Sequence, residues 1–287
     1  MRPLWALALL LASPPSPVSS AGPPAPPLDE LEDRAGRYVA ALEEQLAVVV
    51  GNEEYSQSHF LGREISASHR RSLTSDVAWV PTGHPMVWAF YRDVRTVDGQ
   101  PVSERGARLE ALFPSGSTPA ARELAQQILE ESSRYNLGAR RTVNSPTLAL
   151  MFLHPRNQPR VRFRVAGRDV KEGVDTWKVR FAELQRPTLI RTTRGEDVPV
   201  RGLGWIEPGR GAIVASRLEM SPPGLGPVTI DVAFRLDARL DSWLPAEMRE
   251  SYGNRIRTSA DERVEALARY SSWRRAQVEV QDIVPVP

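Results

Sequence analysis

A chain of 287 residues with 41% apolar side chains can bury a substantial core, and a formal charge of +2 gives no electrostatic case for nucleic acid as a partner. It holds no cysteine, which excludes disulfides, thiolate metal sites, cysteine nucleophiles and a lipid anchor on an N-terminal cysteine. Of its 37 basic residues only Lys171 and Lys178 are lysines. Codon bias is the simpler account of that arginine excess; a surface that meets anionic head groups is the functional one, because a guanidinium forks onto phosphate.

In chain order, Met1-Arg2 precedes an apolar run, Leu4 to Ala12, and a Pro/Ser stretch ending at Ala21. A basic start, a short apolar run and small residues before a cut predict a secretory signal peptide over residues 1–21. No later apolar stretch approaches the roughly 18 residues of a spanning helix, so the mature protein is expected to be soluble and exported, periplasmic or extracellular. Residues 22–27 are a Pro-rich spacer. Leu31, Ala35, Tyr38, Val39, Leu42 and Leu46 then recur every three or four positions, predicting an amphipathic helix from Leu28 to about Val49.

Strands are predicted over 55–60, 71–79 and 87–97, with corners at Pro81 to Pro85 and at Asp98-Gly99. Ser103 caps a short helix, and Thr118-Pro119 opens a second that stops at Gly138. Ser145-Pro146 introduces the apolar run Thr147 to Leu153, a short helix or equally a buried strand. From Arg160 onward the alternation is regular, with strands near 160–165, 177–181, 188–193, 202–207, 213–220, 228–236, 247–254 and 264–273. The 228–236 segment is clearest, with Val228, Ile230, Val232, Phe234 and Leu236 on one side and Thr229, Asp231 and Arg235 on the other.

About eleven strands joined by short corners predict an α+β fold: a strongly curved antiparallel sheet with helices covering its concave face. One domain is expected over residues 28–283, with a helical insertion at about 103–153 and a loose tail at 284–287.

Several stretches resemble exported bacterial proteins of the LolA/LppX-like lipoprotein-carrier fold. They are Trp177 to Phe181, Pro187 to Ile190, Trp205 to Pro208 with its glycine hairpin, Leu244 to Tyr252, Phe90 to Val94 with Val97-Asp98-Gly99, and Glu131 to Gly138. The resemblance implies an unclosed half-barrel whose concave apolar face shelters acyl chains, acting as a carrier or sensor of lipids or lipoproteins in the envelope. The insertion at 103–153 is larger than in the well-known carriers. These motifs are hairpin and core patterns that carry fold rather than chemistry.

The aromatic and apolar residues expected to line such a cavity are Trp79, Trp88, Phe90, Phe163, Trp177, Phe181, Trp205, Leu218, Phe234 and Met248. Arg92 and Glu250 fall on sides that alternation turns inward; each is expected to pair, or to hold a ligand head group at the cavity mouth. The histidines, His59, His69, His84 and His154, show no ligand spacing, and no nucleophile elbow, phosphate loop or dinucleotide fingerprint is present. The expectation is therefore a monomeric binding protein for a lipid, acyl chain or lipoprotein, with no metal, cofactor or enzymatic activity. The alternative is an envelope interaction module with a filled core that binds another protein through strand edges or loops.

Overall fold

The computed structural model describes residues 26–47, 49–62, 64–81, 88–102, 109, 119–138, 141, 144–223, 226–254 and 262–276. The expected leader over 1–21, most of the 22–27 spacer, the helix after Ser103 apart from Leu109, His84 and the 284–287 tail lie outside the described residues.

Eleven strands among the described residues form one antiparallel sheet. They are β1 (Val49–Leu61), β2 (His69–Pro81), β3 (Trp88–Val97), β4 (Gln100–Pro101), β5 (Val161–Lys171), β6 (Val174–Glu183), β7 (Val200–Ile206), β8 (Ile213–Met220), β9 (Val228–Asp237), β10 (Ser242–Asn254) and β11 (Glu262–Arg275). Their order is β4-β3-β2-β1-β11-β10-β9-β8-β7-β6-β5, so the sheet has two free edges and is unclosed, as the half-barrel expectation requires. Two meanders, β1 to β4 and β5 to β11, meet where β1 pairs with β11, from Val49 opposite Arg275 to Leu61 opposite Glu262.

Alternation gives the sheet an inner face, continuous with the main core, and an outer one. The inner face carries Tyr55, Leu73, Val77, Trp79, Phe163, Val179, Phe181, Leu218, Ile230, Phe234 and Met248. It is roofed by α1 (Leu28–Leu46), whose Leu31, Ala35, Val39, Leu42 and Leu46 are buried on one stripe. Asp29 and Glu30 in its first turn suit the positive end of the helix dipole. The helix is docked by polar contacts as well: Gln158 Nε2 donates to the Glu32 carbonyl at 2.8 Å, the Trp243 amide donates to the Tyr38 hydroxyl at 3.2 Å, and Arg34 donates to the Pro208 carbonyl. Gly211 permits this docking. Its φ is +76°, and a Cβ there would stand 2.4 Å from the Arg34 carbonyl group.

The rest of the roof follows from topology. β4 and β5 are the opposite edges, so the chain between them must travel across ten strand spacings, roughly 48 Å along the sheet. Residues 144–160 complete that crossing on the inner face, with a 3-10 helix at Leu148–Phe152 that buries Ala149, Leu150 and Phe152. The helical alternative for this run therefore holds, in a tighter winding. Phe152 stacks on Phe181 with centroids 5.6 Å apart. The helix α2 (Pro119–Arg134) takes the other side: its Ala125 and Ile128 join Val50, Ala78 and Tyr91 in a smaller cluster. Those sheet residues alternate with Gly51, Val77 and Arg92, and so belong to the outer face.

The strand expected at 188–193 is a loop with a single bridge, Arg191 to Asp197, and the eleventh strand is instead the two-residue β4. Local hydrogen bonds take the backbone groups that a ladder would need. Asp197 accepts from the Thr188 amide at 2.8 Å, the Thr188 hydroxyl donates to the Ile190 carbonyl at 2.6 Å, and Glu183 accepts from the Leu189 amide at 2.8 Å.

Candidate functional site

The middle of the inner face holds a polar island inside an apolar surround. Along β11 the inward residues Ala266 and Ala268 are small, and they lie between β1 and β10: Tyr55 and Met248 flank Ala268, Gln57 and Glu250 flank Ala266. That leaves room for long polar side chains to meet above the strand. Tyr55 Oη and Tyr252 Oη each donate to Glu250 at 2.6 Å, one to each carboxylate oxygen. Arg92 forks onto Glu53, with Nη2 2.7 Å from Oε1 and Nε donating to Oε2, and its guanidinium lies 4.7 Å from the centre of the Tyr55 ring. Arg141 donates to Gln57 Oε1 at 2.5 Å and to the Leu137 carbonyl at 2.7 Å, and lies 4.6 Å over the Tyr252 ring.

Two carboxylates and two guanidiniums thus meet in a buried, balanced cluster. Burial pushes the Glu250 carboxyl up, although its two tyrosine donors and the nearby Arg141 and Arg92 pull the other way. Tyr55 and Tyr252 are raised by burial and then by the Glu250 charge. For Arg92 burial works toward neutrality, but Glu53 outweighs it and the guanidinium stays firmly charged. A carboxyl beside two tyrosines resembles an acid–base site in composition. Here every one of these groups is engaged by another, which suits fixing the register of β1, β3 and β10 rather than moving a proton. Among the described residues no group of three or more His, Asp and Glu side chains converges as a metal site.

Arg92 and Glu250 thus face inward and are paired within the chain. Of the residues expected to line a cavity, Trp79, Phe163, Phe181, Leu218, Phe234 and Met248 are buried in the main core, and Phe90 and Trp177 are half-buried against it. The side chain of Trp88 lies outside the described residues. Trp205 is on the outer face, where its indole donates to Asp169 at 3.0 Å and Lys171 lies over its ring. The inward places on β7 belong to Gly202 and Gly204, since Gly202 pairs with Leu218 and Phe181. A Cβ on Gly202 would stand 2.4 Å from the Phe181 ring.

Sequence reasoning missed the other half of the island, Glu53, Tyr55, Gln57 and Arg141, and the aromatic group that Trp79 and Phe90 form with Tyr270 and Trp273. Trp79 lies 5.2 Å from both Phe90 and Trp273. Alternation along β1 was the available signal for Glu53, Tyr55 and Gln57, whereas Arg141 comes from a loop and has no periodicity to betray it. Register also sets His59 opposite His69, with ring centres 6.0 Å apart, a neighbourhood that their spacing along the chain does not suggest.

No described helix is long and apolar enough to cross a membrane. No protein-family model matches the chain, and no curated protein matches it. Among solved structures it is similar to a candidate outer membrane lipoprotein-sorting protein domain from Vibrio parahaemolyticus, at 10% identity over 86% of this chain and 95% of that one, with a TM-score of 0.37. It is also similar to a DUF1329 family protein from Desulfovibrio piger, at 10% identity over 90% of this chain and 96% of that one, with a TM-score of 0.36. Likeness at this level assigns no activity and no site residue.

Proposed function

We propose that this chain is an exported binding protein that shelters an apolar ligand, a lipid, acyl chain or lipoprotein, between the inner face of its sheet and the roof formed by α1 and residues 144–160. The observation that carries this reading is the roof itself. An apolar face runs across the sheet from Phe163 on β5 to Val94 on β3, and its cover is α1 with the 144–160 segment rather than a second sheet. The magnitudes are commensurate. Burying three leucines and a valine of α1 contributes roughly 6–12 kcal/mol, and burying an acyl chain of about sixteen carbons contributes about 0.8 kcal/mol per methylene, a similar total. A ligand of that size would therefore contribute about as much to covering the inner face as the helix does.

One observation favours the second reading, an envelope interaction module with a filled core. Leu218, Phe234 and Met248 are fully covered by the protein's own side chains. Native mass spectrometry of the protein purified from its own host separates the two. The first reading expects a co-purifying acyl-chain mass, displacement of an apolar dye by fatty acids, and a melting temperature that rises with ligand concentration. Absence of bound lipid together with no dye displacement would overturn the first, and crosslinking of a partner to strand edges or loops would support the second.

A further inference from the structure

The outer face of β5 to β8 carries an arginine lattice that the apolar-ligand reading does not use. A cleft of about 550 Å3 there is lined by Arg162, Arg164, Arg180, Arg201 and Arg217, with Glu219 the one acid among its lining residues. Register sets these side chains in two rows across four strands. One row runs Arg164, Arg180, Leu203, Arg217, and the other Arg162, Ala182, Arg201, Glu219. At about 4.8 Å per strand the lattice is roughly 14 Å wide, and Ala182 and Leu203 leave its floor low between the guanidiniums.

Its charge is unbalanced in a way that of the cleft beside it is not. Arg249 and Arg269 share Glu247, Arg263 has Glu265, and Arg217 forks onto Asp231 at 2.6 and 3.1 Å. Arg201 has Glu219 at 2.7 Å. Arg162, Arg164 and Arg180 have no carboxylate partner among the described residues, and Arg164 stands directly opposite Arg180. Like charges directly across a ladder oppose folding. The adjoining cleft on the same face, lined by Ser56, Ser58, Thr229, Asp231, Arg249, Ser251 and Glu265 among others, has one arginine and is acidic on balance. Arg70 on β2 and Arg235 on β9 also lack a carboxylate partner among the described residues, but each stands singly, whereas three such guanidiniums share this cleft.

We infer that the outer cleft of β5 to β8 is a binding site for phosphate groups that together carry more than one negative charge, held by forked contacts from Arg162, Arg164 and Arg180. One carboxylate would leave most of this charge unmatched, whereas phosphate oxygens accept from several planar guanidiniums at once. The phosphates can be those of a free ligand or of lipid headgroups. This site lies on the face opposite the proposed apolar pocket and stands or falls separately from it.

Two probes distinguish the sources: inorganic pyrophosphate followed by calorimetry, and sedimentation with phosphatidylglycerol–phosphatidylcholine vesicles. Saturable binding that weakens with salt is expected in at least one. Pyrophosphate binding assigns a discrete phosphate site, and binding to vesicles alone assigns headgroups. The exposed double variant Arg164→Gln/Arg180→Gln should bind about tenfold more weakly while melting no lower than the parent, and Arg249→Gln in the adjoining cleft should bind normally. The proposal is overturned if neither probe binds, if the double variant binds like the parent, or if Arg249→Gln loses as much. Full affinity in Arg164→Lys/Arg180→Lys would also overturn it, because a point charge cannot replace a fork.

Discussion

Arg92 and Glu250 show how a charged residue on an inward side is resolved. Alternation places both inward, but only the packed structure supplies the partners: Glu53 of β1 for Arg92, and Tyr55 of β1 with Tyr252 of its own strand for Glu250. Removing one member leaves the other charged and buried, so Arg92→Met should cost roughly 3–5 kcal/mol in denaturant unfolding. Replacing the pair with apolar side chains, Glu53→Leu/Arg92→Met, should recover most of that loss, which a double-mutant cycle measures directly. Glu250 makes a pH-dependent prediction. Its carboxyl is held above the ordinary value, so the folded state binds more protons than the unfolded state between pH 4.5 and its raised folded value, and stability falls as pH rises through that window. Glu250→Gln lacks this titration. The melting temperature of the parent relative to Glu250→Gln should therefore be highest below pH 4.5 and decline as pH rises from there; a difference constant with pH would show that Glu250 titrates as in the unfolded chain.

Among the elements, α1 was readable from its spacing alone, though it ends at Leu46 and Val49 already belongs to β1; its buried stripe matches the predicted one apart from the half-buried Tyr38 and the added Gly36. A proline at the interior position Ala40 should destabilise it by about 3 kcal/mol and uncover the inner face, detected as increased binding of an apolar fluorescent dye. Leu42→Ala, which leaves the helix intact, should cost roughly 2–5 kcal/mol without that gain in dye binding. The strands were legible wherever the period of two was unbroken, as from Val228 to Phe234. Facing was hidden where one residue shifted the parity. Ser272 has a φ of +55° and makes an extra step in β11, so Trp273 shares a face with Tyr270 although the count says otherwise. On β7 the glycines rather than Trp205 take the inward places, because Phe181 and the backbone at Arg217 leave no space for a side chain at Gly202.

At the scale of the molecule, the last strand is the one that joins the two meanders. β11 lies between β1 and β10, so a chain ending at residue 261 would lack the centre of its sheet. Such a truncation should fail to fold, visible as loss of amide dispersion in NMR, whereas trimming beyond residue 276 should leave the β1 pairing untouched. The same topology explains the roof, since a connection between opposite edges has to cross the sheet. Read by itself, the sequence determined the class of fold, the amphipathic roof helix, most of the strands and the inward placement of Arg92 and Glu250, because these depend on periodicities of two and 3.6 that a linear chain displays. Only the tertiary structure decided which strand neighbours which, which charges meet in the buried island, where Trp205 points, and that the arginines of β5 and β6 line up without acids. Those are matters of register and long-range pairing between residues far apart along the chain, and no local pattern encodes them.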